Sequence, residues 1–176
     1  MDTHTGTISE PDISLFCNSG NETPQFTFAG LESWGRVVDV YDGDTLKIVM
    51  PYNQTMWKFN IRLYGIDTSE MTSKIQENKE RAIRSRNRVI QLVSKMPAQL
   101  PSSITENKKS IQTYLQQNVF LVYVICKDMD KYGRILADVY SNNVSLSHTL
   151  LQEKLAYSYY GDTKQTEIQQ AITGDS

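Results

Sequence analysis

Trp34-Gly35-Arg36-Val37-Val38-Asp39-Val40-Tyr41-Asp42-Gly43-Asp44-Thr45-Leu46-Lys47-Ile48-Val49-Met50 holds two β-branched runs joined by an Asp-Gly pair. Trp34–Val40 and Thr45–Met50 read as paired strands, because Val and Ile suit a pleated surface and Asp-Gly suits a tight reversal. A second turn at Pro51-Tyr52-Asn53-Gln54 leads into Met56–Tyr64, which alternates apolar and polar residues as a third strand should. The ordered body therefore opens as a three-stranded meander.

Downstream, Ser73 with Gln76 three residues on has the form of a capping box and predicts a helix running to about Lys95. Ile75, Ala82, Val89 and Met96 recur every seven residues, and Ile83, Ile90 and Val93 widen that stripe. Arg86 falls inside the stripe and needs a route to solvent or a carboxylate. Glu77 with Arg81, and Glu80 with Arg84, have the i,i+4 spacing of ion pairs on the outer face. Pro97 and Pro101 stop the helix, and residues 97–117 read as an insertion with a short helix near Lys108–Gln116.

Val119–Cys126 is a nearly continuous apolar run, which predicts a central strand. Ile135–Tyr140 follows the Asp128–Gly133 turn as another strand. Ser145–Glu153 reads as a short helix burying Leu146, Leu150 and Leu151, and a weaker helix is expected near Thr166–Ile172. The order β-β-β-α-β-β-α predicts an α+β fold, an OB-fold five-stranded barrel with about three helices.

The net charge of −2 is unevenly spread. Residues 34–164 hold all 18 Lys and Arg against 13 Asp and Glu, a body of +5. Residues 1–33 carry five acids and no Lys or Arg, and read as a flexible acidic extension, with Phe26-Thr27-Phe28 a candidate edge strand. Residues 165–176 add two acids as a second tail. A basic body can meet a polyanion while acidic tails weaken the attraction at low salt. Cys17 and Cys126 alone give neither a disulfide framework nor a zinc site, which fits a reducing compartment. The absence of a signal-like or membrane-spanning apolar run makes an intracellular protein the expectation.

Three segments carry the chemistry: Asp42-Gly43-Asp44-Thr45, then Ile61 to Glu70, then Asp130-Lys131-Tyr132-Gly133-Arg134. Asp44 and Asp67 stand where strands meet turns. Paired carboxylates facing one opening are costly unless a cation neutralises them, and oxygen ligands favour Ca²⁺ or Mg²⁺. The Thr68 carbonyl is a suitable further ligand. Glu70, three residues past Asp67, can reach the same opening as a base towards water. Arg62 and Arg134 converge only on folding, and their planar forks match the charge that builds on a phosphoryl group. Each segment alone is ordinary turn or loop chemistry; all three in this order form a specific signal. Tyr157, Tyr159 and Tyr160 read equally as a base-stacking platform or a barrel-edge cluster. His4 and His148 have no ligand-spaced partner.

Over about residues 34–162 these segments resemble the staphylococcal nuclease (thermonuclease) family, whose fold is an OB-type five-stranded barrel with helices. The resemblance implies that Asp44, Asp67 and the Thr68 carbonyl hold Ca²⁺, and that Arg62, Glu70 and Arg134 are catalytic. It implies that Lys131, Tyr132 and Tyr160 contact substrate. Ser69 stands where the family commonly has Pro. The implied activity is calcium-dependent hydrolysis of DNA and possibly RNA, preferably single-stranded, at the 5′-O–P bond to leave 3′-phosphates, by a monomer. The alternative is a non-catalytic module of the same fold that binds single-stranded nucleic acid or a protein partner.

Overall fold

Alternate residues along the first two strands turn inward and the third buries its last three residues, which together build one wall of a barrel. In the computed structural model, which describes residues 12–96, 99–161, 166 and 169, β1 (Glu32–Val40), β2 (Thr45–Tyr52) and β3 (Thr55–Leu63) form the expected antiparallel meander. Asn53 and Gln54, at φ 49° and 62°, make the left-handed tip of the second hairpin. There follow β4 (Ile66–Asp67), α1 (Gln76–Ser94), α2 (Ser102–Thr105), α3 (Lys108–Gln117), β5 (Leu121–Met129), β6 (Ile135–Ser141), β7 (Val144–Ser145), α4 (Leu146–Gln152) and β8 (Tyr157–Ser158). The main sheet runs β3-β2-β1-β5-β6-β7, and a parallel β3–β6 pairing closes its first five strands into a barrel. That closing register sets Arg62 opposite Leu136.

Leu46, Ile48, Met50, Ile61, Val122, Val124 and Val139 fill the interior, and α1 covers it with Ala82, Val89, Ile90 and Val93. Fully burying one such aliphatic side chain stabilises by about 1.5–3 kcal/mol. Leu146 and Leu150 of α4 are buried as expected, while Leu151 is only partly so. Among the described residues no helix is long and apolar enough to cross a membrane.

The start of α1 differs from the expected capping box. Ile75 occupies the cap position without a side-chain bond, and the Ser73 hydroxyl accepts from the Ile75 N–H at 3.1 Å. A short hydroxyl side chain readily takes an N–H two residues on, and here that closes a turn ahead of the helix. Arg81 is the larger correction. It pairs with Glu77 at 2.8 Å as the spacing predicts, yet it is buried rather than on the outer face, with its Nη1 donating to the Tyr157 hydroxyl. Arg86 finds the Thr105 carbonyl at 3.2 Å and the Asn87 amide oxygen, rather than a carboxylate, and burial lowers its pKa.

Of the expected insertion, α3 is docked on the barrel. Ile111 and Leu115 of α3 enter the core. Arg36 Nη2 donates to the Leu115 and Gln116 carbonyls at 3.4 and 2.8 Å, satisfying groups that a helix C-terminus leaves open. Gln112 donates to buried Asp39 at 2.9 Å.

Ahead of β1, Phe26-Thr27-Phe28 forms no strand. Phe28 stands edge-on to Phe26, Tyr52 and Phe59 with centroids 4.9, 5.3 and 5.4 Å away. Cys126 N–H donates to the Leu31 carbonyl at 2.9 Å, so residues 26–31 pack on the barrel. The helix expected near Thr166–Ile172 lies almost wholly outside the described residues.

Candidate active site

The end of β3 places Arg62 at one end of the barrel, 7% exposed. Its Nη1 donates to Asp44 Oδ1 and its Nη2 to Asp67 Oδ1, both at 2.6 Å, and Nη2 also reaches the Ile66 carbonyl at 3.3 Å. Burial alone would lower the Arg62 pKa. The charges of Asp44 and Asp67 outweigh it and hold the guanidinium firmly cationic. Asp44 Oδ2 accepts from the Thr68 N–H and hydroxyl at 3.0 and 3.2 Å, and Oδ1 accepts from the Thr45 hydroxyl at 2.9 Å. Asp67 is positioned by two-residue β4, which pairs antiparallel with β8 so that Asp67 faces Tyr157. Buried Arg81 anchors Tyr157 from behind and so ties α1 to this pairing. The Arg62 guanidinium carbon lies 5.9 Å from the Tyr159 ring centroid.

The Asp42-Gly43 step works differently from a left-handed hairpin turn. Gly43 has no positive φ. A Cβ there would stand 2.5 Å from Ser85 Cβ and 2.8 Å from Thr68 Cγ2, so the glycine lets the loop sink against α1 and the Thr68 strand end. That close approach fixes Asp44. Half-buried Asp42 lies beside it and is a carboxylate that the sequence reading passed over as turn chemistry. Its pKa is pushed up to about 7 by burial and by the Asp44 charge. The Asp-x-Asp spacing on an extended loop was the signal that could have found it.

The folded state thus holds on to an Asp42 proton that the unfolded chain releases near the ordinary carboxyl value of 3.8. The stability this contributes is complete below the unfolded value and is lost as pH rises through the folded one. In chelator, the melting temperature is expected to fall between about pH 5 and 7.5, and Asp42→Asn should flatten that slope. An unchanged slope in the variant would clear Asp42 as its cause.

Arg134 enters from the turn before β6. Asp130 Oδ2 accepts from its Nε at 2.7 Å, while Asp130 Oδ1 accepts the Tyr132 and Arg134 N–H groups, each at 2.9 Å. Burial would raise the Asp130 pKa, but these bonds and the Arg134 charge outweigh it and lower it. Arg134 Nη1 reaches the Thr45 hydroxyl at 3.3 Å, which links it through one residue to Asp44. Lys131 Nζ and Arg134 both lie over the Tyr132 ring, at 5.2 and 5.7 Å from its centroid. Asp130 is a positioning residue that sequence reading left in the turn.

One cavity of about 930 Å³ gathers Asp44, Arg62, Thr68, Glu70, Lys131, Tyr132, Arg134 and Tyr160 in its lining, with Asp42, Tyr41 and Tyr159. Asp67 is not part of that lining and meets the site through Arg62. Glu70 is exposed at the site. Tyr160 stands edge-on to Tyr64, centroids 5.7 Å apart, and lies over Gly65, where a Cβ would be 3.2 Å from its ring and φ is +79°. The three late tyrosines therefore divide: Tyr157 faces Arg81, while Tyr159 and Tyr160 face the cavity.

The carboxylate oxygens of Asp44 and Asp67 and the Thr68 carbonyl are donors of the kind a hard dication takes, and Asp42 beside them is pushed up by burial and by the Asp44 charge. Oxygen donors of this kind suit calcium or magnesium once Arg62 releases the two carboxylates. Among the described residues no three His, Cys, Asp or Glu form a ready-made cage, and Arg62 lies between Asp44 and Asp67.

A family model described as staphylococcal nuclease homologue matches residues 60–174. The chain belongs to the staphylococcal nuclease homologue family. The match takes in Arg62, Asp67, Glu70 and Arg134, and begins after the Asp42–Asp44 loop. No curated protein matches the chain. At Ser69, where members of the family commonly carry Pro, the side chain is 1% exposed and its hydroxyl has no hydrogen-bond partner among the described residues. A buried unpaired hydroxyl costs about 1–3 kcal/mol. Ser69→Ala is therefore expected to raise stability by about 1 kcal/mol in urea unfolding. A loss of stability would show that the hydroxyl has a partner.

Proposed function

We propose that the chain is a calcium-dependent nuclease that hydrolyses phosphodiester bonds of DNA, and of RNA, at the 5′-O–P bond to leave 3′-phosphates. The reading is carried by one observation: carboxylates, guanidinium groups and tyrosines from widely separated segments line a single cavity. A calcium ion held by Asp44, Asp67 and the Thr68 carbonyl would supply Lewis-acid polarisation of the phosphate. Glu70 takes the proton of the attacking water. Arg134 is presented by Asp130, and its Nη2 makes no hydrogen bond among the described residues, which leaves a donor for a phosphoryl oxygen. Arg62 reaches the same phosphate once it gives up a carboxylate. Lys131, Tyr132 and Tyr160 hold the flanking phosphate and base, the tyrosines by stacking.

The test is incubation of the folded protein with a single-stranded oligonucleotide in calcium or in chelator, with the product ends identified. Cleavage in calcium alone, leaving 3′-phosphates, is the expected result. Binding without cleavage in either buffer would overturn the nuclease reading in favour of a non-catalytic module.

The tails bear on access. Removing residues 1–24 deletes Asp2, Glu10, Asp12 and Glu22 and stops short of packed Phe26 and Phe28. Nucleic-acid affinity at about 50 mM salt is expected to rise in that truncation, and the gain should vanish as salt screens it. Equal affinity of the two forms at low salt would refute this.

A further inference from the structure

Tyr41 marks where the cavity meets the docked insertion. It lines the cavity and is 52% exposed, and Lys108 Nζ lies 5.7 Å from its ring centroid. Lys108 opens α3, whose position is fixed by Ile111 and Leu115 in the core and by the Gln112–Asp39 and Arg36 bonds. The ammonium group is therefore carried on a rigid element beside the site. Lys109, next along, lines a separate recess of about 390 Å³ with Ser103, Ser110, Thr113, Gln117 and Tyr114. Hydroxyl, amide and ammonium donors beside an aromatic ring suit a sugar–phosphate chain. Between residues 97 and 117 these two lysines face a single acid, Glu106.

We propose that single-stranded nucleic acid leaving the cavity past Tyr41 continues over the start of α3, where Lys108 and Lys109 take its phosphates and the Lys109 recess holds the backbone beyond. The inference rests on the nucleic-acid reading above and extends it. The insertion becomes an added binding track, so the protein grips several nucleotides beyond the linkage it cuts. Three features argue for this occupant: Lys108 stands beside a ring that lines the cavity, Lys108 and Lys109 are both exposed, and hydroxyl and amide groups line the recess next to Lys109.

Binding is measured in chelator, where no cleavage interferes, using labelled oligothymidylate of about 16 nucleotides and a thymidine dinucleotide. In the double variant Lys108→Ala, Lys109→Ala, affinity for the longer strand is expected to drop about tenfold at ~50 mM salt. The slope of log affinity against log salt should shrink by about 1.4, the value for two phosphate contacts on a single strand. Dinucleotide affinity should match that of the unaltered protein, and Lys108→Arg, Lys109→Arg should restore the longer strand. Equal weakening of both lengths would place the lysines in the cavity itself and overturn the track, as would no weakening at all. An unaltered protein that binds neither length would overturn the nucleic-acid reading as well, which separates the two failures.

Discussion

Glu70→Gln is expected to cut turnover on single-stranded DNA by about 10²–10⁴-fold, the usual contribution of a general base. Glutamine keeps the shape and loses the proton acceptor. Glu70 is exposed, so the melting temperature should hardly move, and loss of rate with an intact fold isolates chemistry from stability. Arg134→Ala gives a useful contrast. It should lower turnover by about 10²–10³-fold, as removal of one preorganised donor does. It also strips Asp130 of a 2.7 Å partner, so a modest stability loss should accompany it. Near-normal turnover in Glu70→Gln would take that residue out of the mechanism.

Arg62→Gln should have the largest effect on the fold. Asp44 and Asp67 each lose a 2.6 Å partner, and their side chains are only 4% and 6% exposed. Removing one member of a buried charge cluster typically costs about 3–5 kcal/mol, because the remaining charges stay desolvated. In chelator the variant should unfold correspondingly earlier. Calcium should then stabilise it more than it stabilises the unaltered protein, since a cation no longer competes with a guanidinium for the same carboxylates. The measurement is the calcium-induced shift in melting temperature of the two proteins. Equal shifts would mean that Arg62 and the cation do not compete.

Strands and helices were legible wherever burial imposed a period. Thr45 to Met50 alternates because one face is inside, and α1 repeats because one stripe is inside. The candidate site was legible for a related reason: Arg62, Asp67 and Arg134 sit at strand ends, where a closed barrel brings distant residues together. What was missed depends on contacts with no local trace. Two-residue β4 and β8 are too short to show alternation, so the pairing that holds Asp67 was invisible. Arg81 looks like a surface helix residue until Tyr157, 76 positions away, accepts its hydrogen bond. Gly43 suggested a turn, whereas packing against Ser85 and Thr68 is what requires it. The docking of α3 depends on Arg36 and Asp39, which a helix signature does not encode.

The β4–β8 pairing has a consequence for how the protein is made. Asp67 is held by residues 157–158, and the cavity includes Tyr159 and Tyr160, so a chain emerging from the ribosome lacks part of its site until that late segment is free. Barrel closure by β3–β6 likewise waits for residues 135–137. Contacts so distant in sequence form late and cooperatively. Until residues 157–160 are free to pair and pack, Asp67 lacks its strand partner and the cavity lacks Tyr159 and Tyr160.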